Sequence, residues 1–313
     1  MSNLPESFYE HPIFTPQVFR VPTRAEKILL EQIHNHLWTG KPGAFIHGTA
    51  RAGKTTSFLN IKNSIQARSG VCLPVLYTSM PPRDKNTIRE VHYKCLTHTK
   101  LSFNRRATCN DLANTLIAHL MELSHLTEYK TVILIVDEIQ RLTPSQIEVF
   151  SELYDSLYEN NLRLCVFMIG NSSGSNTLLA DLELDINESI RGRFFTERHQ
   201  FKGIHSKQDV QFILKLYDQL RFPIESGPTY TEYFTEKEFV NGFRLAQLSS
   251  IVWDTFNEYR KELKITTWPA QYFFSAINLL LPDYLYKYGA ENVESDMIAA
   301  CIEASGLLHA PYN

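Results

Sequence analysis

Apolar residues gather in short runs along the first two thirds of the chain: AFIH at 44–47, VCLPVLY at 71–77, TVILIV at 131–136 and LRLCVFMIG at 162–170, with FTERHQF at 195–201 as a weaker fifth. Between them, apolar positions recur at helical spacing over 54–68, 86–99, 110–127, 144–160 and 176–190. Short apolar runs without alternation predict strands buried on both faces. Their alternation with helices predicts a parallel sheet flanked by helices, an α/β domain. Thr23, with Glu26 three residues on, predicts the N-cap of a helix running to about Trp38. After about residue 203 the strand runs stop. Segments 206–221, 235–263, 268–287 and 293–304 carry only helical periodicity, which predicts a small all-helical domain. Pro5, Pro12, Pro16 and Pro22 punctuate the start of the chain and predict an extended arm. The expected organisation is therefore an arm over 1–22, an α/β domain over 23–203 and a helical domain over 204–313.

Composition narrows this picture without redirecting it. Of 313 residues, 43% are hydrophobic and 21% charged, an ordinary globular balance. No apolar run is long enough to span a bilayer, and the first 22 residues lack an apolar signal core, so a cytoplasmic protein with no membrane partner is expected. Five cysteines without a CxxC pair fit a reducing compartment. The net charge of -3 gives no global attraction for nucleic acid, so any such binding needs a local patch.

The sharpest chemistry lies between the first strand and the helix after it. Gly48, Thr49, Ala50, Arg51, Ala52, Gly53, Lys54 and Thr55 match GxxxxGK[ST] in full, and Thr56 follows. In that context the glycines let backbone N–H groups wrap a β-phosphate, Lys54 brings a cation to the β/γ oxygens, and the Thr55 hydroxyl can ligate Mg²⁺. TVILIVDE places Asp137 and Glu138 at the end of a buried strand, one to hold Mg²⁺ and the other to orient an attacking water. Asn171 ends the next apolar run, where a polar group could sense a γ-phosphate; Asn is also a common turn residue. SIRGRFF (189–195) offers Arg191 and Arg193 at a helix end, where cations are favoured anyway. Either is a candidate arginine finger for a neighbouring subunit's nucleotide. VNGFRLAQL places Arg244 just inside a helix after Asn-Gly, from where it could fold back onto the nucleotide.

This ordered set resembles an AAA+ ATPase. The resemblance implies a P-loop parallel sheet followed by a helical lid, with ATP and Mg as cofactors. Walker A would be Gly48 to Thr55, Walker B Asp137 and Glu138, sensor 1 Asn171, the finger Arg193 and sensor 2 Arg244; the Gly-x-Arg spacing at Arg244 departs from the commoner Gly-x-x-Arg. A narrower likeness is carried by YTSMPPRDKNTIRE (77–90) and VILIVDEIQRLTPSQIEVFSELYDSL (132–157), which are similar to the TnsC/TniB group of transposition regulators. It implies an ATP-dependent homo-oligomer, ring or filament, on duplex DNA. That assembly would link a target-selection protein of the TniQ/TnsD type to transposase subunits. Two other functions share the nucleotide motifs: a nucleotide-gated protein scaffold and a replication initiator or loader.

Residues 83–106 bear on that choice. Seven basic residues (Arg83, Lys85, Arg89, Lys94, Lys100, Arg105 and Arg106) face two acids (Asp84 and Glu90), a local charge of +5. The stretch is either a solvated basic face or a phosphate-binding patch, and backbone contact with DNA is expected chiefly from Arg83, Lys85, Arg89, Lys100, Arg105 and Arg106. His92, Cys95, His98 and Cys109 fall in the same region, but their spacing drifts round a helix and matches no zinc knuckle, so packing is expected of them. The aromatic segment WPAQYFFSAINLLLPDYLYKYG is expected to be core of the helical domain.

Overall fold

The computed structural model describes residues 6–82, 87–224 and 226–310. The chain divides into two compact units. One comprises Ile28–Ala50 and Lys54–Phe201; the other comprises Met1–Lys27, Arg51–Gly53 and Lys202–Asn313. Each has its own hydrophobic core.

The first unit is built on five parallel strands in the order β2-β3-β4-β1-β5: β1 (Gly43–Gly48), β2 (Val75–Ser79), β3 (Thr131–Asp137), β4 (Arg163–Asn171) and β5 (Arg198–Gln200). Every residue of β3 is buried, as the unbroken TVILIV run demands of a strand covered on both faces. Helix α1 (Arg24–Trp38) precedes the strands, and the others follow them: α2 (Lys54–Ile61), α3 (Ile88–Thr97), α4 (Cys109–Ser124), α5 (Pro144–Glu159), α6 (Asn176–Leu182) and the single turn α7 (Glu188–Ile190). Their starts are written in the sequence. Thr23 Oγ1 accepts from the Glu26 N–H at 3.1 Å, Thr108 and Asp111 form a capping box, and so do Thr143 and Gln146 with Pro144 at the first helical position. Cross-strand register pairs Gly48 with Asn171, Ser79 with Asp137 and Val136 with Met168, so β1, β3 and β4 end within a few residues of one another along one edge of the sheet.

Three elements of this unit differ from the sequence expectation. The helix from 54 stops at Ile61, and a 3-10 turn and a bridge between Gln66 and Cys72 replace its expected end. Strand β2 begins after Pro74 instead of running through it, because proline has no N–H to give a ladder. Helix 176–190 breaks at Leu182, and residues Arg191–Phe195 form a π-turn that buries Phe194 and Phe195 where the start of a strand was expected.

The second unit holds α8 (Lys207–Tyr217), α9 (Tyr230–Phe234), α10 (Glu236–Val240), α11 (Ser249–Glu262), α12 (Ala270–Leu279), the single turn α13 (Tyr286–Tyr288) and α14 (Ser295–Ala304). The expected helix 235–263 is interrupted at Gly242, whose φ of +97° no helix accommodates. The aromatic segment supplies the core, with Trp268 stacked on Phe256 at 4.1 Å and Phe273, Leu281 and Leu285 fully buried. From Glu6 on, the N-terminal segment expected as an extended arm is folded into turns; Pro5 and the residues before it lie outside the described residues. The segment forms 3-10 turns at Glu6–Glu10 and Pro12–Phe14, and Phe8, Ile13, Phe19 and Val21 enter this unit's core. Proline permits a first helical turn, and burial of these side chains outweighs the extended preference.

Candidate nucleotide site

The loop between β1 and α2 has a backbone that its glycines make possible. A Cβ on Gly48 would lie 2.4 Å from the carbonyl oxygen of Phe201, so only glycine fits. Gly53 takes φ +100°, which turns the chain into α2 and aims the helix N-terminus at the loop. Arg51 also adopts a left-handed φ of +59°. Thr49, Ala50, Arg51, Thr55 and Thr56 are at least partly exposed, whereas Ala52 is buried. Lys54 Nζ donates to the carbonyl oxygens of Gly48 at 2.9 Å and Thr49 at 2.8 Å, which seats the ammonium inside the loop's curve. Burial pulls the Lys54 pKa down, and the charges of Asp137 and Glu138 oppose that shift.

Asp137 is buried at the end of β3. Its Oδ2 accepts from Thr55 Oγ1 at 2.6 Å and from the Tyr77 hydroxyl at 2.7 Å, and its Oδ1 accepts from the Glu138 N–H at 2.8 Å. Tyr77 is pushed well above the usual phenol range, first by burial and then by the charge of Asp137, so it stays a donor. Glu138 leaves the strand in a left-handed conformation, φ +63° and ψ +39°, sparsely populated for a residue with a side chain. Its Oε2 accepts from Gln140 Nε2 at 2.7 Å and pairs with the Arg141 guanidinium at 2.9 Å. Gln140 Oε1 in turn accepts from the Asn171 N–H at 3.2 Å, and Ser173 Oγ approaches Asn171 Oδ1 at 3.4 Å. The structure thus brings Gly48, Lys54, Thr55, Asp137, Glu138 and Asn171 to one edge of the sheet. Tyr77, Gln140 and Arg141 join them; they lie within the segments 77–90 and 132–157 but have no place in the Walker and sensor motifs. The DEIQR run holds the last two beside the strand-terminal acids, and that adjacency is the one signal that could have found them.

The arginine candidates are engaged locally. Arg193 makes a two-pronged ion pair with Asp155 of α5, both contacts at 2.9 Å, and its guanidinium lies 5.3 Å from the Tyr154 ring centre. Arg191 donates to the Glu183 carboxylate at 3.0 Å. Arg244 is not inside a helix. Its backbone is extended ahead of a 3-10 turn at Leu245–Leu248, and its guanidinium donates to the carbonyls of Phe239 and Phe243 while stacking 3.7 Å from the Phe239 ring centre.

In the basic stretch, Arg83 and Lys85 lie outside the described residues. Arg89 is half-buried and donates to the carbonyls of Ala107 at 3.1 Å and Arg105 at 2.7 Å, tying down the loop between α3 and α4. Lys100, Arg105 and Arg106 on that loop are exposed, and none of the three makes an ion pair among the described residues. His92 Nδ1 lies 3.8 Å from Cys109 Sγ, His98 faces Thr78 and the Lys94 carbonyl, and Cys95 is buried with its thiol pushed up to about 12. Among the described residues no three ligand-type side chains converge to hold a metal, and no helix is long and apolar enough to cross a membrane.

Comparison with known proteins bears on part of this geometry. No curated protein matches the chain. Solved structures similar to it include the ORC2 protein of Aeropyrum pernix, 14% identical with a TM-score of 0.48 over 94% of this chain and 71% of that one. Cdc6p of Pyrobaculum aerophilum is 14% identical with a TM-score of 0.44, over 88% of this chain and 70% of that one. A Walker-type ATPase of Pyrococcus abyssi is 16% identical with a TM-score of 0.44, over 91% of each chain. Residues 39–179 match the family model described as AAA domain, a span that contains the phosphate loop, both strand-terminal acids and Asn171. By that match, residues 39–179 carry an AAA-type ATPase domain.

Proposed function

We propose that the protein is a Mg-dependent ATPase that assembles on duplex DNA and regulates transposition, linking a target-selection protein of TniQ/TnsD type to the transposase. The observation that carries the ATPase part is the convergence of Lys54, Thr55, Asp137 and Glu138 at the shared end of β1 and β3. Thr55 Oγ1 and Asp137 Oδ2 are 2.6 Å apart, hard oxygen donors of the kind Mg²⁺ takes together with nucleotide phosphates, so the residues fit the ion. When bound there, Mg²⁺ neutralises charge on the β- and γ-oxygens.

The chain's own groups then divide the work. Loop N–H groups and Lys54 hold the phosphates. Glu138 orients a water for attack on the γ-phosphorus and takes its proton as the bond to the ADP oxygen breaks. Asn171 senses the γ-phosphate. Arg193 of a neighbouring subunit supplies the cation that stabilises the transition state, so turnover is slow in monomers and rises with assembly.

The DNA and transposition parts are supported by the exposed Lys100, Arg105 and Arg106 and by the likeness of 77–90 and 132–157 to TnsC/TniB regulators. Electron microscopy with a non-hydrolysable ATP analogue, with and without duplex DNA, tests the reading. DNA-dependent rings or filaments are expected. Assembly indifferent to DNA would replace it with a nucleotide-gated scaffold.

A further inference from the structure

The Gln140 side chain joins two groups of the nucleotide site at the ends of different strands, Glu138 just past β3 and Asn171 closing β4. We infer that Gln140 is a positioning residue that couples the Glu138 carboxylate to the end of β4, an inference that rests on Glu138 being the base of the proposed hydrolysis. Its Oε1 accepts from the Asn171 N–H at 3.2 Å and its Nε2 donates to Glu138 Oε2 at 2.7 Å. The orientation of the amide is fixed by its partners. An N–H can only donate and a carboxylate can only accept, so the flipped amide would lose both bonds. The side chain is also confined from above. A Cβ on Gly174, in the loop after β4, would come within 3.2 Å of Gln140 Cγ.

Arg141 completes the grip. One guanidinium nitrogen pairs with Glu138 Oε2 at 2.9 Å, and another donates to the Met80 carbonyl at 2.5 Å, past the end of β2. Both of these partners of Glu138 fall on Oε2, which leaves Oε1 as the oxygen to receive a proton. The left-handed backbone at Glu138 turns the chain so that residues 138, 140 and 141 can meet at one carboxylate oxygen. A shift of Asn171 on engaging a phosphate would pull Gln140 and so move the Glu138 carboxylate. The base is thereby set by the same strand end that reads the nucleotide.

The test uses the full chain with E138Q, Q140M and Q140E. Steady-state turnover is followed, and the affinity for a fluorescent ATP analogue is measured alongside. Q140M nearly preserves the volume but removes both bonds. A fall in kcat of about tenfold is expected with nucleotide affinity within about twofold, since the phosphates are held elsewhere. Q140E keeps the acceptor for Asn171 but sets a second carboxylate against Glu138 in place of the amide donor, so kcat should again fall about tenfold with nucleotide affinity within about twofold. A merely structural role would lower affinity and kcat together, and that result overturns the coupling. Wild-type kcat in both Gln140 variants, beside an inactive E138Q, overturns the coupling alone. Undiminished turnover in E138Q overturns the assignment of the base, and this inference with it.

Discussion

A methyl group at position 48 would meet the Phe201 carbonyl oxygen at 2.4 Å, and neither backbone can yield without disturbing the β1–β5 edge. Gly48→Ala should therefore cost about 2 kcal/mol or more of stability, read as a lowered midpoint in urea unfolding. Lys54→Ala should abolish binding of a fluorescent ATP analogue while leaving that midpoint nearly unchanged. Glu138→Gln should keep nucleotide binding, lose turnover and lengthen the life of any assembly; normal turnover would remove Glu138 from its role. These residues are legible in the sequence because their chemistry is local: a GxxxxGK[ST] loop and two acids ending an apolar run need only a few neighbouring letters. Gln140 is not, since its meaning comes from a bond to Asn171, 31 residues away and on another strand.

At the scale of elements, the N-terminal segment docks through a fully buried histidine. His11 Nδ1 accepts from the Ile13 N–H, and the ring sits among Phe222, Tyr230, Tyr233 and Phe234 at 4.6–5.1 Å. Burial lowers its pKa from 6.5 to about 4. The folded state thus favours the neutral ring, so its contribution is complete above pH 6.5 and is lost as pH falls toward 4. By pH 5 the loss is about 2 kcal/mol. His36, His47, His92 and His199 are shifted the same way by burial, so the wild type alone cannot isolate the effect. His11→Leu should reduce the drop in melting temperature between pH 7 and pH 5; an equal drop in both proteins would refute the assignment. Strand identity, parallel pairing and most helix starts can be read from apolar runs and capping residues. The π-turn at Arg191–Phe195 cannot, because it is held by burial of Phe194 and Phe195 against a core that only the folded unit supplies. Proline spacing likewise speaks for an extended arm and says nothing of the aromatic pocket that receives Phe8 and His11.

For the whole molecule, charge is the property to test. The chain is net negative, so binding to a polyanion must run through a local patch, and the loop bearing Lys100, Arg105 and Arg106 is the one to alter. Reversing those three charges should weaken affinity for duplex DNA of any sequence and reduce the salt slope by about 1 for each phosphate no longer neutralised. Unchanged affinity and slope would move the DNA surface elsewhere. Arg193→Ala should leave nucleotide binding intact and remove the rise of specific activity with protein concentration. An unaltered rise would disqualify it as the residue supplied between subunits.

Arg89 belongs by sequence to the basic stretch expected on DNA, yet its guanidinium holds the carbonyls of Arg105 and Ala107. The loop that carries the exposed cations is therefore shaped before any ligand arrives, and little further ordering is needed on binding. Replacing Arg89 with lysine would keep the charge and lose the forked grip. The cations would then sample many arrangements, and the defect would surface as an entropic penalty on association, measurable by calorimetry, from a side chain whose bonds are spent on the loop itself.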